Sequence, residues 1–314
     1  MPNGIDYLEY WGLEFAPFAD DQRPETFVPT ASSIQALGRL RYALGSGPGI
    51  AGLYGSAGIG KTRVVKALLG EFSAAKWLTC YFPSPLATAA DLLAALHPSG
   101  RRSDAESGGA VAAITEFLEN RAMLGLPALL AVDDVQATRN PDFLELLRTL
   151  GNVCGRNGPA LRLLLSGQPE MENRLRAASR LDSRLAAKAV LEPMTGDETK
   201  LYILARLKAA ASSQGIFTKH AAALIVGLSG GVPRKVNLLS ELALVIAFGL
   251  ERKKVDPEVV EMAAADLELL PGDVAAFYPW PVPERPAKAA AGDSGDAEGE
   301  TEDILAELSM NDGR

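Results

Sequence analysis

Cysteine and histidine are nearly absent, with two of each in 314 residues. Cys80 and Cys154 are far apart and form neither a CxxC pair nor a Cys/His metal spacing, which excludes a disulfide framework and a zinc ribbon. Both are expected to be reduced core or near-core thiols. His97, before a proline, and His220, at a helix start, read as structural or solvent-facing. No apolar run approaches the roughly 20 residues that a membrane span needs; SELALVIAFGL and LPALLAV are the longest. The opening MPNGIDYLEYWGLEF has no basic residue and no uninterrupted apolar stretch, so it does not read as a secretory signal, and a cytoplasmic location is expected. A positive surplus is also missing, since 31 Lys and Arg stand against 39 Asp and Glu. Eight of those acids and one base fall in residues 291–314, leaving 31 acids and 30 bases elsewhere. A near-neutral body with an acidic tail gives no general reason to bind nucleic acid, and that partner is not favoured. No internal repeat is found.

What is present is an alternation. Residues 1–44 hold an aromatic, proline-punctuated segment, YLEYWGLEFAPF, and then a helix over SIQALGRLRYAL with Ile34, Leu37, Leu40 and Leu44 on one face. Trp11, Phe15 and Phe18 are expected to clamp this segment onto the core that follows. From 45 to 193 short apolar runs (IAGLY, WLTCYF, PALLAVDD, ALRLLLSG, AKAVLEP) alternate with helical ones. The helical runs are KTRVVKALLGEF, PLATAADLLAALH, AVAAITEFLENRAML, DFLELLRTLGNV and PEMENRLRAAS, and PSGRRSDAESGG reads as an exposed loop. Such alternation predicts an α/β fold, a five-stranded parallel sheet covered on both faces. Residues 194–270 read as helices only, with Asp256 capping a helix that begins at Pro257. Residues 271–314 are rich in Pro, Ala and acid and are expected to be disordered, with DILAELS as a short docking helix.

Chemistry concentrates in a few stretches. GSAGIGKT matches the phosphate-loop pattern G-x-x-x-x-G-K-[ST] between a predicted strand and a predicted helix. Its residues Gly55, Ser56, Ala57, Gly58, Ile59, Gly60, Lys61 and Thr62, with Arg63 in the first turn, are expected to cradle ATP. Backbone N–H groups would surround the anion, Lys61 would reach the phosphates and Thr62 would bind Mg2+. In ALLAVDDVQ a buried strand ends in Asp133, assigned to the metal, and Asp134, assigned to orient or deprotonate the attacking water. LLLSGQPE ends a strand in Ser166 and Gln168, candidates to sense the last phosphate, although an ordinary strand-to-helix turn would read the same. The basic run RLRAASRLDSRLAAK carries Arg174, Arg176, Arg180, Arg184 and Lys188, any one of which could serve a neighbouring subunit; SGGVPRKVNLL places Arg234 at a helix start.

Taken together, WGLEFAPF, FVPT, QALGRLRYAL, GSAGIGKT, LLAVDDVQ, LLLSGQPEMENRL, LDSRLAAKAVLEPMTGDETKLYILARL, FTKHAAALIVGLSGGVPRKVNLL and VDPEVVEMAAADL resemble the AAA+ ATPases of the general secretion pathway protein A (ExeA-like) family over about residues 7–270. TniB-type transposition ATPases are of the same kind. The resemblance implies a P-loop NTPase (AAA+) core with a small C-terminal helical lid, and an ATP-hydrolysing homo-oligomer. It places Ser166–Gln168 at the first sensor, Arg234 at the second, and Arg184 where the family carries a finger arginine. Asp134 departs from the family's usual Glu, which implies slow hydrolysis or a switch-like role. Ser33-Ile34-Gln35 departs from the family's His-Arg-Glu, and Lys188 replaces an arginine. Members that anchor in the inner membrane continue into a span and a peptidoglycan-binding domain, whereas this sequence continues into an acidic tail. The expectation is therefore an ATPase that docks by its tail on a protein partner of an envelope, polysaccharide-export or secretion system, recruited to the inner membrane by that partner. The alternatives are an ATP-dependent DNA-binding helper of a transposase and a nucleotide-gated scaffold.

Overall fold

The computed structural model describes residues 7–19, 23, 26–46, 49–83, 91, 107–138, 141–155, 158–178, 181–212 and 215–269. The predicted helix PLATAADLLAALH (all but Asp91), most of the predicted loop at 98–109, His97, Arg180 and the whole tail with DILAELS lie outside them. The chain divides into two compact units, one of residues 29–192 and one that joins residues 1–28 to 193–314.

In the first unit five strands, β1 (Ile50–Tyr54), β2 (Leu78–Phe82), β3 (Ala128–Val132), β4 (Leu161–Gly167) and β5 (Ala187–Val190), form one parallel sheet in the order β2-β3-β4-β1-β5. The three central strands β3, β4 and β1 are buried along their whole length, which is why they read as unbroken apolar runs rather than alternating ones. The edge strands β2 and β5 are partly exposed. Helix α2 (Ala31–Gly45) and helix α3 (Lys61–Ala74) pack on the sheet. Among the other helices, α4 (Ser107–Met123) contributes Ile114 and Leu118 to a core cluster with the sheet, α5 (Pro141–Leu150) contributes Phe143, Leu144 and Leu147, and α6 (Met171–Ala178) contributes Leu175. Burial of α3 residues Val64, Val65 and Leu68 stabilises the packing by about 1.5–3 kcal/mol each.

Helix α2 starts one turn before its first apolar pair because Thr30 and Ser33 form a reciprocal cap, with the Ser33 N–H donating to Thr30 Oγ1 at 3.2 Å and the Thr30 N–H to Ser33 Oγ at 2.8 Å. That cap turns Ser33 inward together with Ala36, Leu37, Leu40, Ala43 and Leu44. Ile34 therefore lies on the outer face, 57% exposed, and not on the buried face that its spacing predicted. Helix α5 ends at Leu150, short of the 153 to which the sequence reading extended it, and the chain then makes a short antiparallel ladder, Cys154–Gly155 with Gly158–Pro159. Cys154 is exposed there, a correction to its reading as a core or near-core thiol; Cys80 is half-buried in β2.

The second unit is helical: α1 (Tyr7–Trp11), α7 (Gly196–Ala209), α8 (Lys219–Ser229), α9 (Pro233–Gly249) and α10 (Pro257–Asp266). Asp256 caps α10 by accepting from the Val259 N–H, as its position before Pro257 predicted. Trp11, Leu13 and Phe18 belong to this unit's core, packed with Ile216, Phe217, Leu239 and Leu244. The expected clamp on the α/β core is thus corrected, and the aromatic segment instead completes the helical unit. The cause is polar as well as apolar. Arg206 of α7, 3% exposed, donates to the carbonyls of Pro17 (2.6 Å), Thr26 (2.9 Å) and Ala19 (2.9 Å). Glu241 of α9 accepts from the Tyr7 hydroxyl at 2.5 Å and the Phe18 N–H at 3.2 Å, and the Trp11 indole donates to the Leu244 carbonyl. Among the described residues no helix is long and apolar enough to cross a membrane.

Candidate active site

The connections leaving β1 and β4 run to opposite sides of the sheet, and ligands of open α/β sheets bind where that reversal falls, at the carboxyl ends of the strands. Register sets what meets there. Tyr54 lies beside Gly167 and Val132 beside Leu165, so the loop at 55–60, Asp133 and the 166–168 stretch emerge together.

The phosphate loop turns through Gly58 (φ 75°) and Gly60 (φ 101°), both in the left-handed region that disfavours a side chain. Gly60 is the N-cap of α3 and supplies no side-chain cap, so the helix opens with its first N–H groups uncovered toward the loop. Lys61, only 7% exposed, donates its ammonium to the carbonyls of Gly55 and Ser56, each at 2.9 Å. Burial lowers its pKa, and the carboxylates of Asp133, Asp134 and Glu170 partly offset that.

Asp133, buried at the end of β3, accepts on Oδ2 from the Thr62 hydroxyl at 2.6 Å and from the Tyr81 hydroxyl at 3.1 Å, and on Oδ1 from the Asp134 N–H at 3.0 Å. Burial, followed by the adjacent Asp133 carboxylate, pushes the Tyr81 phenol up to about 12, so it is a donor at every physiological pH. Asp134 is exposed and sits in the left-handed region (φ 50°, ψ 39°), which a short Asp tolerates better than most side chains with a Cβ. Its Oδ1 accepts from Gln136 Nε2 at 3.0 Å, and Gln136 Oε1 accepts from the Gln168 N–H at 3.0 Å.

The residues present fit ATP and Mg2+. An uncapped helix start and a lysine whose partners are neutral carbonyls suit an anion, and a hydroxyl 2.6 Å from a carboxylate offers two oxygen ligands of the hard kind that Mg2+ takes. The structure brings Lys61, Thr62, Asp133 and Asp134 into one site. Ser166 is fully buried on β4, with its hydroxyl lacking a hydrogen-bond partner among the described residues, while Gln168 is partly exposed at the strand's end. Arg184 is exposed at the end of the 3-10 turn Leu181–Arg184, and Arg234 is exposed in the first turn of α9, in the other unit. Of the other bases, Arg176 and Lys188 both pair with Glu172 at 2.7 Å. Tyr81 and Gln136 were not assigned from the sequence. Tyr81 carried one signal, its place near the end of a strand predicted in the same sheet as β3.

A parallel sheet in this order, with a phosphate loop after its first strand and a buried acid ending its third, defines a P-loop NTPase fold of the AAA type. Consistently, residues 44–175 match the family described as AAA domain. The chain is 30% identical over 267 residues to the general secretion pathway protein A of Aeromonas hydrophila. The match covers 83% of the chain and 48% of that relative, so the chain spans about half the relative's length. Among solved structures it resembles CDC6P from Pyrobaculum aerophilum (TM-score 0.65, 20% identity, covering 80% of this chain and 70% of that one). It also resembles the ORC2 protein of Aeropyrum pernix in its ADPNP-ADP complexes (TM-score 0.62, 18% identity, covering 81% and 72%).

Proposed function

We propose that this protein is an ExeA-like AAA+ ATPase that binds and hydrolyses Mg-ATP, and that it drives the assembly or regulation of an envelope, polysaccharide-export or secretion system. The observation that carries the enzymatic part is the Thr62–Asp133 contact beside Lys61 at an uncapped helix start. The relative from Aeromonas hydrophila supports the biological part.

In this reading Lys61 exchanges the carbonyls of Gly55 and Ser56 for phosphate oxygens, which are stronger acceptors because they are charged. The N–H groups of Gly58, Gly60, Lys61 and Thr62 orient the phosphates, whereas those of Gly55 and Arg63 are held by the Gly167 and Gly60 carbonyls. Thr62 and Asp133 hold Mg2+, which when bound supplies Lewis-acid polarisation of the phosphoryl oxygens. Tyr81 keeps the Asp133 carboxylate turned toward Thr62 by donating to the same oxygen. Asp134 accepts the proton of the attacking water; being one methylene shorter than Glu, it makes for slow turnover. Ser166 and Gln168 act as the first sensor, Arg234 as the second, and Arg184 as a finger offered to another copy in a homo-oligomer, the roles that the resemblance implies. The protein works in the cytoplasm, its tail docking on a protein partner.

The test is nucleotide binding and steady-state turnover, with and without DNA. Lys61→Ala weakens nucleotide binding at least about tenfold, the worth of one charged hydrogen bond. Asp134→Asn keeps binding but lowers kcat about 100-fold or more, the contribution of a positioned base. Full turnover in both variants refutes the site assignment. Turnover that requires DNA replaces the envelope reading with a DNA-bound helper.

A further inference from the structure

We propose that Gln136 is the positioning residue of this site, holding the Asp134 carboxylate in its working orientation and tying it to the end of β4. The inference rests on the reading of Asp134 as the residue that orients the attacking water.

The chemistry of the two neighbours determines the part Gln136 plays. The Gln168 N–H can only donate, and an ionised Asp134 can only accept. A single side chain bridging them must accept on one side and donate on the other, which a carboxamide does and neither a carboxylate nor an ammonium can. Both contacts are 3.0 Å, and they orient the amide uniquely, with Oε1 on the Gln168 N–H and the NH2 on Asp134 Oδ1. A second, independent feature makes room for it. A Cβ at position 167 would lie 2.5 Å from Gln136 Oε1, so Gly167 provides the space that the amide occupies. The turn carrying Gln136 (Val135–Ala137) is itself anchored, since Val135 is fully buried in the core of the first unit and the Thr138 side chain after the turn is 3% exposed.

Asp134 needs such a brace. Its side chain is exposed on a left-handed backbone and, without a partner, would sample several rotamers, only some of which face an attacking water. A fixed amide on a buried turn selects one of them. Because the same amide receives the Gln168 N–H, a displacement at the end of β4 alters the grip on Asp134, which couples the proposed sensor stretch to the proposed base through one side chain.

The test uses the full chain with Gln136→Met, which keeps the shape and loses both hydrogen bonds, and Gln136→Glu, which keeps the acceptor for Gln168 and sets a carboxylate against Asp134. Asp134→Asn is the reference. Expected for both variants is a kcat lower by about tenfold, the loss of one orienting hydrogen bond. KM and the Kd of a fluorescent ADP analogue stay within about twofold, as does the melting behaviour. Gln136→Glu is the worse of the two. Independently of activity, hydrogen exchange at the Gln168 amide speeds up at least about fivefold in Gln136→Met while the β4 amides of Leu163–Leu165 stay protected. A parent-like kcat in Gln136→Met beside an inactive Asp134→Asn overturns this inference alone. Unchanged exchange at Gln168, or a loss confined to KM and analogue binding, overturns it too. Full turnover in Asp134→Asn instead removes the reading on which it rests.

Discussion

Replacing Arg206 with Leu should unfold the helical unit at a much lower temperature. The guanidinium is 3% exposed and donates three hydrogen bonds, at 2.6, 2.9 and 2.9 Å, to the carbonyls of Pro17, Thr26 and Ala19. A hydrogen bond to a charged group contributes about 1.5–3 kcal/mol, and Leu leaves three inward carbonyls without a donor while returning some apolar packing. Gross loss is therefore about 4.5–9 kcal/mol, and a net cost of about 3–5 kcal/mol follows once the carbonyls regain water and the buried charge no longer has to be desolvated. For a unit of roughly 100 residues, 1 kcal/mol moves the midpoint by about 4–8 °C, so a fall of 12 °C or more, roughly, is expected. Calorimetry without nucleotide reads the transition, and Lys208→Ala, an exposed change on the same helix, serves as the control. Arg206→Lys should fall between the two, because one ammonium cannot serve three carbonyls that a planar fork serves together. A shift under about 2 °C for Arg206→Leu would show that the three hydrogen bonds do not hold residues 7–28 in place.

The same unit supplies a second test in adjacent glycines. A Cβ on Gly231 (φ 71°) would lie 2.0 Å from the Met194 carbonyl oxygen, whereas one on Gly230 (φ 56°) would meet nothing within 4 Å. Gly231→Ala should cost about 2–5 kcal/mol and Gly230→Ala only the 1–2 kcal/mol, roughly, of its backbone conformation, read by urea denaturation. In the α/β unit, Arg41 of α2 donates to both oxygens of Glu71 of α3 at 2.7 and 2.6 Å, and these hydrogen bonds hold the Glu71 carboxyl below its ordinary value of 4.5. Because the folded pKa is the lower one, the contribution is present above pH 4.5 and fades as the pH falls through and below it. Glu71→Gln should therefore cost under about 1 kcal/mol at pH 7, as for any half-exposed pair, and progressively less as the pH is lowered below 4.5. Thiol labelling at pH 8 should modify exposed Cys154 well before Cys80, whose pKa burial raises.

How much of this was legible depended on how local its cause was. The three central strands could be read because a strand covered on both faces is an apolar run of fixed length between turn residues, the two edge strands because they alternate with helical runs in the same way, and the cap at Asp256 because its partner is three positions away. The phosphate loop was legible for the same reason, since Gly55 to Thr62 make their geometry among themselves. Ile34 was misplaced because the buried face that holds Leu37, Leu40 and Leu44 continues through Ser33, a polar residue whose hydroxyl is satisfied by the cap with Thr30, and apolar spacing does not reveal a buried serine. The destination of Trp11 and Phe18 depended on Arg206 and Glu241, some 190 to 230 positions away, and an aromatic segment alone does not choose between two cores. Gln136 escaped notice because its meaning lies in Gln168, brought beside it only by the pairing of β3 with β4.

A helical unit assembled from both ends of the described chain also sets an order of events at the ribosome. Residues 7–28 are made first, yet Arg206, Glu241 and Leu244, which hold them, follow only after the entire α/β unit, roughly 220 residues in all if α9 must be complete. At about 5–20 residues per second that is a wait of about 10–45 s, during which Trp11, Leu13 and Phe18 have no core to enter. The nascent segment is thus a natural client for a chaperone that shields aromatic side chains. A recombinant fragment starting at Pro193 would face the opposite deficit, lacking Trp11, Leu13 and Phe18 from its core and leaving the Arg206 fork with no carbonyls to bind.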